Sequence, residues 1–307
     1  MNSELPIDFS NPVIRDYMSL VRLQVLTPLS LLINITITLI CSLVLHPSLG
    51  DVTRLHPASI SPSVPAIAAY IFMIYLGQVG YCILLVAARR PETKSTIVKG
   101  VGLALVFANW VMAGSAIAWV FEAFLKSTIF LGILTLLLIY SNVVLIVYHA
   151  PTWTRPLDVV FIHAPVRLFL ILALSLLFPY SLFVTLGHAW DPAYPGHYER
   201  KQWGGFAYVL AVNLAGLFII ALCHDWVWCL GATWMCVSIW MKEPKPLSIY
   251  IIVIIFTVLH PVTLIVVTIT KRLTRKRQEG HIRLPSDEEI THQERATSRH
   301  EVQADWS

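Results

Sequence analysis

Residues 203–241 read WGGFAYVLAVNLAGLFIIALCHDWVWCLGATWMCVSIWM. The stretch holds almost no charge, yet His224 and Asp225 stand side by side at its middle. As one helix it would run about 57 Å at 1.5 Å per residue. The hydrocarbon core of a bilayer is only about 30 Å thick. The stretch therefore reads as two membrane spans hinged at Cys223-His224-Asp225. The fold class follows: an all-α, polytopic helical membrane protein.

The rest of the chain extends this pattern. Of its 307 residues, 56% are hydrophobic and 13% are charged, against about 25% charged in a soluble domain. Eight runs are long enough to cross a bilayer. They are Leu23 to His46, Pro65 to Ala88, Val98 to Phe121, Ser127 to His149, Phe161 to Leu186, Gly204 to Leu222, Asp225 to Met241 and Leu247 to Thr270. The seventh is the shortest. This divides the chain into an N-terminal cytosolic segment (1–22), a transmembrane domain (23–271) and a disordered basic and polar cytosolic tail (272–307). The N-terminus lacks a basic start followed by an apolar run, and it carries Glu4, Asp8 and Asp16. Neither a secretory signal nor a transit peptide fits. The first span is expected to serve as its own insertion signal.

With eight spans, both ends share a side with the second, fourth and sixth loops. That side carries 15 Lys and Arg, against six on the other. The positive-inside rule then puts both termini in the cytosol. The net charge of +4 reflects eight basic residues between Lys271 and Arg299. The tail has almost no aromatic residues to stack on bases, so no nucleic-acid partner is expected. None of the five cysteines forms a CxxC pair, so nothing suggests zinc or a disulfide framework.

Polar residues within the apolar runs carry the functional reading. Asn34, Asn109, Asn213 and His260 fall near the middles of their spans, and Asn142 lies closer to an end. Such groups form interhelical hydrogen bonds worth about 0.6 kcal/mol on average, or they line a pocket at mid-membrane. His163 and Arg167 are four residues apart and share a helix face. Arg167 either snorkels to the cytosolic boundary or pairs with an acid. Asp225, which also caps the seventh span, is the natural partner, and Asp158 the rival. His149, His163, His224 and Asp225 gather at one face in this topology. No two of these histidines have metal-ligand spacing, so no metal is expected, and no cofactor either. Trp226 and Trp240 suit the membrane boundaries. Trp234 is deeper and suits the wall of an apolar pocket.

Three local patterns carry a resemblance. They are Asp225-x2-Trp228-x-Leu230-x3-Trp234, Ile60-Ser61-Pro62 followed by Tyr70 and Tyr75, and Asn109-Trp110. On these the chain resembles an uncharacterised fungal family of multi-pass membrane proteins, distantly similar to translocator protein, also called tryptophan-rich sensory protein. That resemblance implies a helical bundle with porphyrin- and sterol-binding associations. Tyr70 stands where a tryptophan is usual, and Asn109 and Trp110 are adjacent rather than spaced.

The expected function is binding or passage of an apolar small molecule in an intramembrane cavity. Membrane lipids are the expected surroundings. Asn109, Asn213, Arg167, Asp225, Trp228 and Trp234 are the expected ligand-binding residues. The alternatives are an integral membrane enzyme acting on a lipid or isoprenoid, and a structural scaffold. In the enzyme, Asp225 would be the acid and His224 or His163 its proton partner.

Overall fold

The computed structural model describes residues 12–149, 155–189, 195–243 and 245–279. Its elements, in order, are α1 (Pro12–Leu39), continued by a wide π turn over Ile40–Val44, α2 (Leu49–Leu55) and α3 (Val64–Ala87). Then come α4 (Pro91–Val101), α5 (Ala104–Val120), α6 (Phe124–Tyr148) and α7 (Pro156–Thr185). The chain continues through α8 (Pro195–Cys223), α9 (Trp226–Trp240) and α10 (Leu247–Glu279). Among the described residues no strand forms. A single bridge pairs Ala58 with Ala189.

Among the described residues six helices are long and apolar enough to cross a membrane, and α4 with α5 makes a seventh if taken as one span bent by 45°. The bend falls at Gly102, whose φ of +51° is readily reached by a residue without a Cβ. Each of the eight expected runs thus corresponds to helix, but α9 has only fifteen residues, or about 22 Å. The break expected at residues 223–225 is present. α8 ends at Cys223, His224 takes a φ of +52°, and α9 starts at Trp226. These features make the protein a multi-pass, all-α membrane protein.

Two boundaries differ from the sequence expectation. α1 already starts at Pro12, within the expected N-terminal segment. α10 continues to Glu279, so residues 272–279 are helical rather than disordered. Extending an existing helix avoids the cost of nucleation, and Lys, Arg, Leu, Gln and Glu are good helix formers. Residues 280–307 lie outside the described part, as do 190–194 of the fifth loop. The first loop is not plain coil. Ser48 and Asp51 form a reciprocal capping box that starts α2.

The core is centred on α7, whose most apolar window is 61% buried, against 17% for α8 and for α10. Two wide turns in α7, Val159–His163 and Ala173–Leu177, each end shortly before a proline, Pro165 or Pro179. A proline has no N–H for the preceding turn, and a π bulge absorbs the mismatch. α3 lies close against this helix. A Cβ at Gly77 would come within 2.9 Å of Pro165 Cβ, and one at Gly80 would overlap the Phe161 ring.

Long-range contacts define the two ends of the bundle. At one end the Ser63 N–H donates to the Ser238 carbonyl at 2.7 Å. Lys245 donates to the Ser61 carbonyl at 2.6 Å, and Ser248 donates to Gln202. At the other end the Gln24 amide donates to the Leu85 carbonyl at 3.1 Å. Arg22, Arg89 and Arg90 all lie just beyond that contact. The start of α1 and the end of α10 therefore share this basic end.

Candidate functional site

Two polar centres and one apolar groove stand out. The first centre joins α7 to the α8–α9 break. One Asp225 oxygen, Oδ2, pairs with the Arg167 guanidinium. The other, Oδ1, accepts from the Val227 and Trp228 N–H groups at 3.0 and 3.1 Å. Asp225 is thus both the N-cap of α9 and the counter-ion of Arg167. Both side chains are buried, at 7% and 2% exposure. The rival acid, Asp158, is held instead by Arg155 at 3.3 Å and by the Thr93 hydroxyl.

The pair lies deeper than the sequence suggested. Tyr70 donates to the Leu168 carbonyl, and Gly77 lies against Pro165. Arg167 is therefore level with the middle of α3. At least the ten residues of α3 after Gly77 remain below it, about 15 Å or more at the α-helical rise. The helix that carries Arg167 starts at Pro156, not at Phe161 as the apolar run suggested, which sets the arginine further from its end. Snorkelling to the boundary is excluded by the burial and by the partner.

Neighbouring groups are only partly satisfied. His163 is buried with Nδ1 unpartnered, and Arg167 Nε and Asn142 Oδ1 have no hydrogen bond. Asn142 donates to the carbonyls of Leu138 and Val166. His224 is half-buried at the break. His149 caps the end of α6, with Nδ1 3.3 Å from the Thr96 hydroxyl. Burial, then Arg155 and Lys99, hold the His149 imidazole below its usual range. Among the described residues no three His, Cys, Asp or Glu side chains come together as a metal site.

The remaining expected residues serve the α8–α9–α10 seam. Asn213 donates to the Val209 carbonyl in its own helix and accepts from the Cys236 thiol at 3.2 Å. Trp228 is buried, and its Nε1 would lie 2.9 Å from a Cβ at Gly216, with His260 Nε2 at 3.6 Å. His260 is fully buried, beside Trp228 and the Asn213 backbone. Trp234 donates from Nε1 to the Ala66 carbonyl at 3.0 Å, and its ring lies 6.0 Å from that of Tyr70.

The second polar centre is neutral. Asn34 donates to Asn109 Oδ1 at 3.0 Å, and Asn109 donates to Gln78 Oε1 at 2.9 Å. This ties α1, α5 and α3 together. Thr38 and Tyr75 add a hydroxyl pair at 3.0 Å. The expected mid-span polar residues therefore do not form one network. Asn34 and Asn109 meet side chain to side chain, while Asn142 faces α7 and Asn213 and His260 lie together at the α8–α9–α10 seam. Gln78, which completes the chain, was not singled out in the sequence.

The groove lies between α1 and α3 and has a volume of about 690 Å³. Pro28, Leu31, Leu32 and Ile35 line it from α1, and Val79, Cys82, Ile83, Val86 and Ala87 from α3. Every one of these side chains is apolar. Leu32, Ile83 and Val86 are more than 60% exposed, so the groove opens sideways. The Gln24–Leu85 bond joins the two helices near one end and the Thr38–Tyr75 bond near the other. Tyr75 also donates to Asn34 Oδ1 at 3.4 Å, one turn nearer Gln24. Pro28 leaves the Gln24 carbonyl without its helical donor, a place where a helix can bend. None of the six ligand-binding residues expected from the sequence lines this groove. Its own residues gave no sequence signal beyond Pro28, because both spans are apolar all round.

No protein-family model, no curated protein and no solved structure matches the chain. The likeness to tryptophan-rich sensory protein thus rests on the quoted residues alone.

Proposed function

We propose that this multi-pass membrane protein binds an apolar small molecule or lipid chain within the membrane, in the groove between α1 and α3. The observation that carries this reading is an open groove of about 690 Å³ with a wholly apolar lining, crossed by the Gln24–Leu85 and Thr38–Tyr75 bonds. Its size falls within the range of small-molecule sites. A side opening lets a membrane-dissolved ligand enter without crossing water. The basic end faces the cytosol by the positive-inside rule.

A fatty acid carrying an alkyl diazirine tests this directly. The α3 peptide containing Cys82 and Ile83 is expected to be labelled saturably, and unlabelled fatty acid should compete. The double variant Leu32→Trp/Ile83→Trp fills the groove from two exposed positions and should lose that labelling while unfolding at the same temperature. Even, unsaturable labelling of all exposed helices, unchanged in the tryptophan variant, would overturn the proposal.

The enzyme reading is less well supported, for a specific reason. Both oxygens of Asp225 are engaged, one by two N–H groups and the other by Arg167. Neither is free to reach a substrate, and His163 is buried beneath the same pair.

A further inference from the structure

We infer that the occupant of the groove is an anionic phospholipid, with an acyl chain between α1 and α3 and its phosphate on Arg89 and Arg90. This inference rests on the groove reading above and specifies the ligand.

The lining runs to Val86 and Ala87, at the very end of α3. After the cap residue Ala88 the next two residues are Arg89 and Arg90, and both are exposed. Arg90 is in an extended conformation, with φ −73° and ψ 131°. Along the chain the groove therefore ends within about one helical turn of two adjacent exposed arginines. Arg22 of α1 stands at the same level, because the Gln24–Leu85 bond fixes the register of the two helices.

Among the described residues the charge at this rim is uncompensated. Glu92 and Asp158 both pair with Arg155. Among the described residues neither Arg89 nor Arg90 has an ion-pair partner. Arginine forks match phosphate oxygens geometrically as well as electrostatically. An alkane or a sterol would leave these cations without a counter-charge. A zwitterionic headgroup would bring a cation of its own next to them. A lipid with a net negative head satisfies the apolar groove and the basic rim together. If this end faces the cytosol, it meets the leaflet where anionic lipids concentrate.

The test compares phosphatidylglycerol with phosphatidylcholine of identical chains, using the purified full-length protein and native mass spectrometry. The wild type is expected to retain phosphatidylglycerol in preference by roughly fivefold for each arginine engaged. Arg89→Gln/Arg90→Gln should bring the ratio near one while diazirine labelling of the groove persists. Leu32→Trp/Ile83→Trp should lose both signals. Lys94→Gln, one turn into α4, should leave the ratio unchanged. A ratio unaffected by loss of the two arginines would overturn the headgroup assignment and leave the groove reading standing. So would an equal fall in Lys94→Gln, since diffuse surface charge would then explain the preference. Labelling that survives the tryptophans would overturn the groove reading itself.

Discussion

The two polar centres solve one problem in different ways. The Asn34–Asn109–Gln78 chain and the Arg167–Asp225 pair both place polar atoms where the surroundings are apolar, and each links separate helices. The amide chain is neutral and graded. Each group keeps some capacity if another is lost, and the Gln78 amide nitrogen already goes without a partner. The ion pair has no such reserve. A guanidinium without its carboxylate is an uncompensated charge in a medium that cannot solvate it. The hydrogen-bonded centre should therefore fail by degrees, and the charged one all at once.

The largest expected effect follows from removing Asp225. Asp225→Ala strands Arg167 and uncaps α9, and should destabilise the protein by about 3–5 kcal/mol. Unfolding temperature in detergent and abundance in the membrane both report it. Arg167→Met/Asp225→Leu should recover most of the loss, because apolar replacement of a buried pair is often neutral. Additive losses in the double variant would mean that the pair is not a unit, and the contrast with the amide chain would fall.

Next in size is the packing that brings α9 to its place. A Cβ at Gly231 would sit 2.7 Å from Ile171 Cδ1 and 2.8 Å from the Tyr70 hydroxyl. Gly231→Ala should cost about 1–3 kcal/mol through overpacking. If Asp225 is positioned by this contact, the loss in Gly231→Ala/Asp225→Ala should be less than the sum of the two. Strict additivity would show that the charge and the packing are independent.

Asn109 gives the smaller, graded case. Asn109→Leu removes both bonds in the middle of the chain, for a loss of about 1 kcal/mol. Asn34→Leu removes the bond to Asn109 and the longer bonds that Thr38 and Tyr75 donate to Asn34 Oδ1, at 3.5 and 3.4 Å, and should cost a similar amount. A loss from Asn109→Leu as large as that from Asp225→Ala would erase the distinction between the two centres.

How much of this was legible depends on which residues carry it. The spans and the break at His224–Asp225 could be read because length against bilayer thickness leaves little choice. The ion pair could be read because a lone arginine in an apolar run needs a counter-charge. Its depth could not, since it is set by contacts such as Gly77 with Pro165 that join distant parts of the chain. The amides showed the same limit. Their cost marks them as inward-facing, but spans that are apolar all round do not reveal which helix each one faces. Asn213 found a thiol on α9, whereas Asn109 found an amide on α1. The groove was the least visible, because its residues are ordinary. It lies between contacts that join distant parts of the chain, Gln24–Leu85 and Thr38–Tyr75, pairs 61 and 37 residues apart.

Lys245 provides the smallest and finest test, because it is a cation held by neutral partners alone. It lies in the turn between α9 and α10 and donates to the carbonyls of Ser61, at 2.6 Å, and Ser59, at 3.4 Å. Desolvation first, and Lys242 second, lower its pKa to about 7 from the ordinary 10.5. The sign follows from proton counting. Between about pH 7 and 10.5 the unfolded chain holds the proton and the folded chain does not, so stability rises with pH across that window. Below about pH 7 both states are charged and the dependence vanishes. Unfolding temperature measured from pH 6 to 10 should rise in the wild type and lose that component in Lys245→Met. Were Lys245 instead stabilised as a charge, as Arg167 is by its carboxylate, the slope in this window would be flat or reversed. Carbonyl oxygens would then be adequate counter-groups for a cation here, and the need for Asp225 would lose its physical basis.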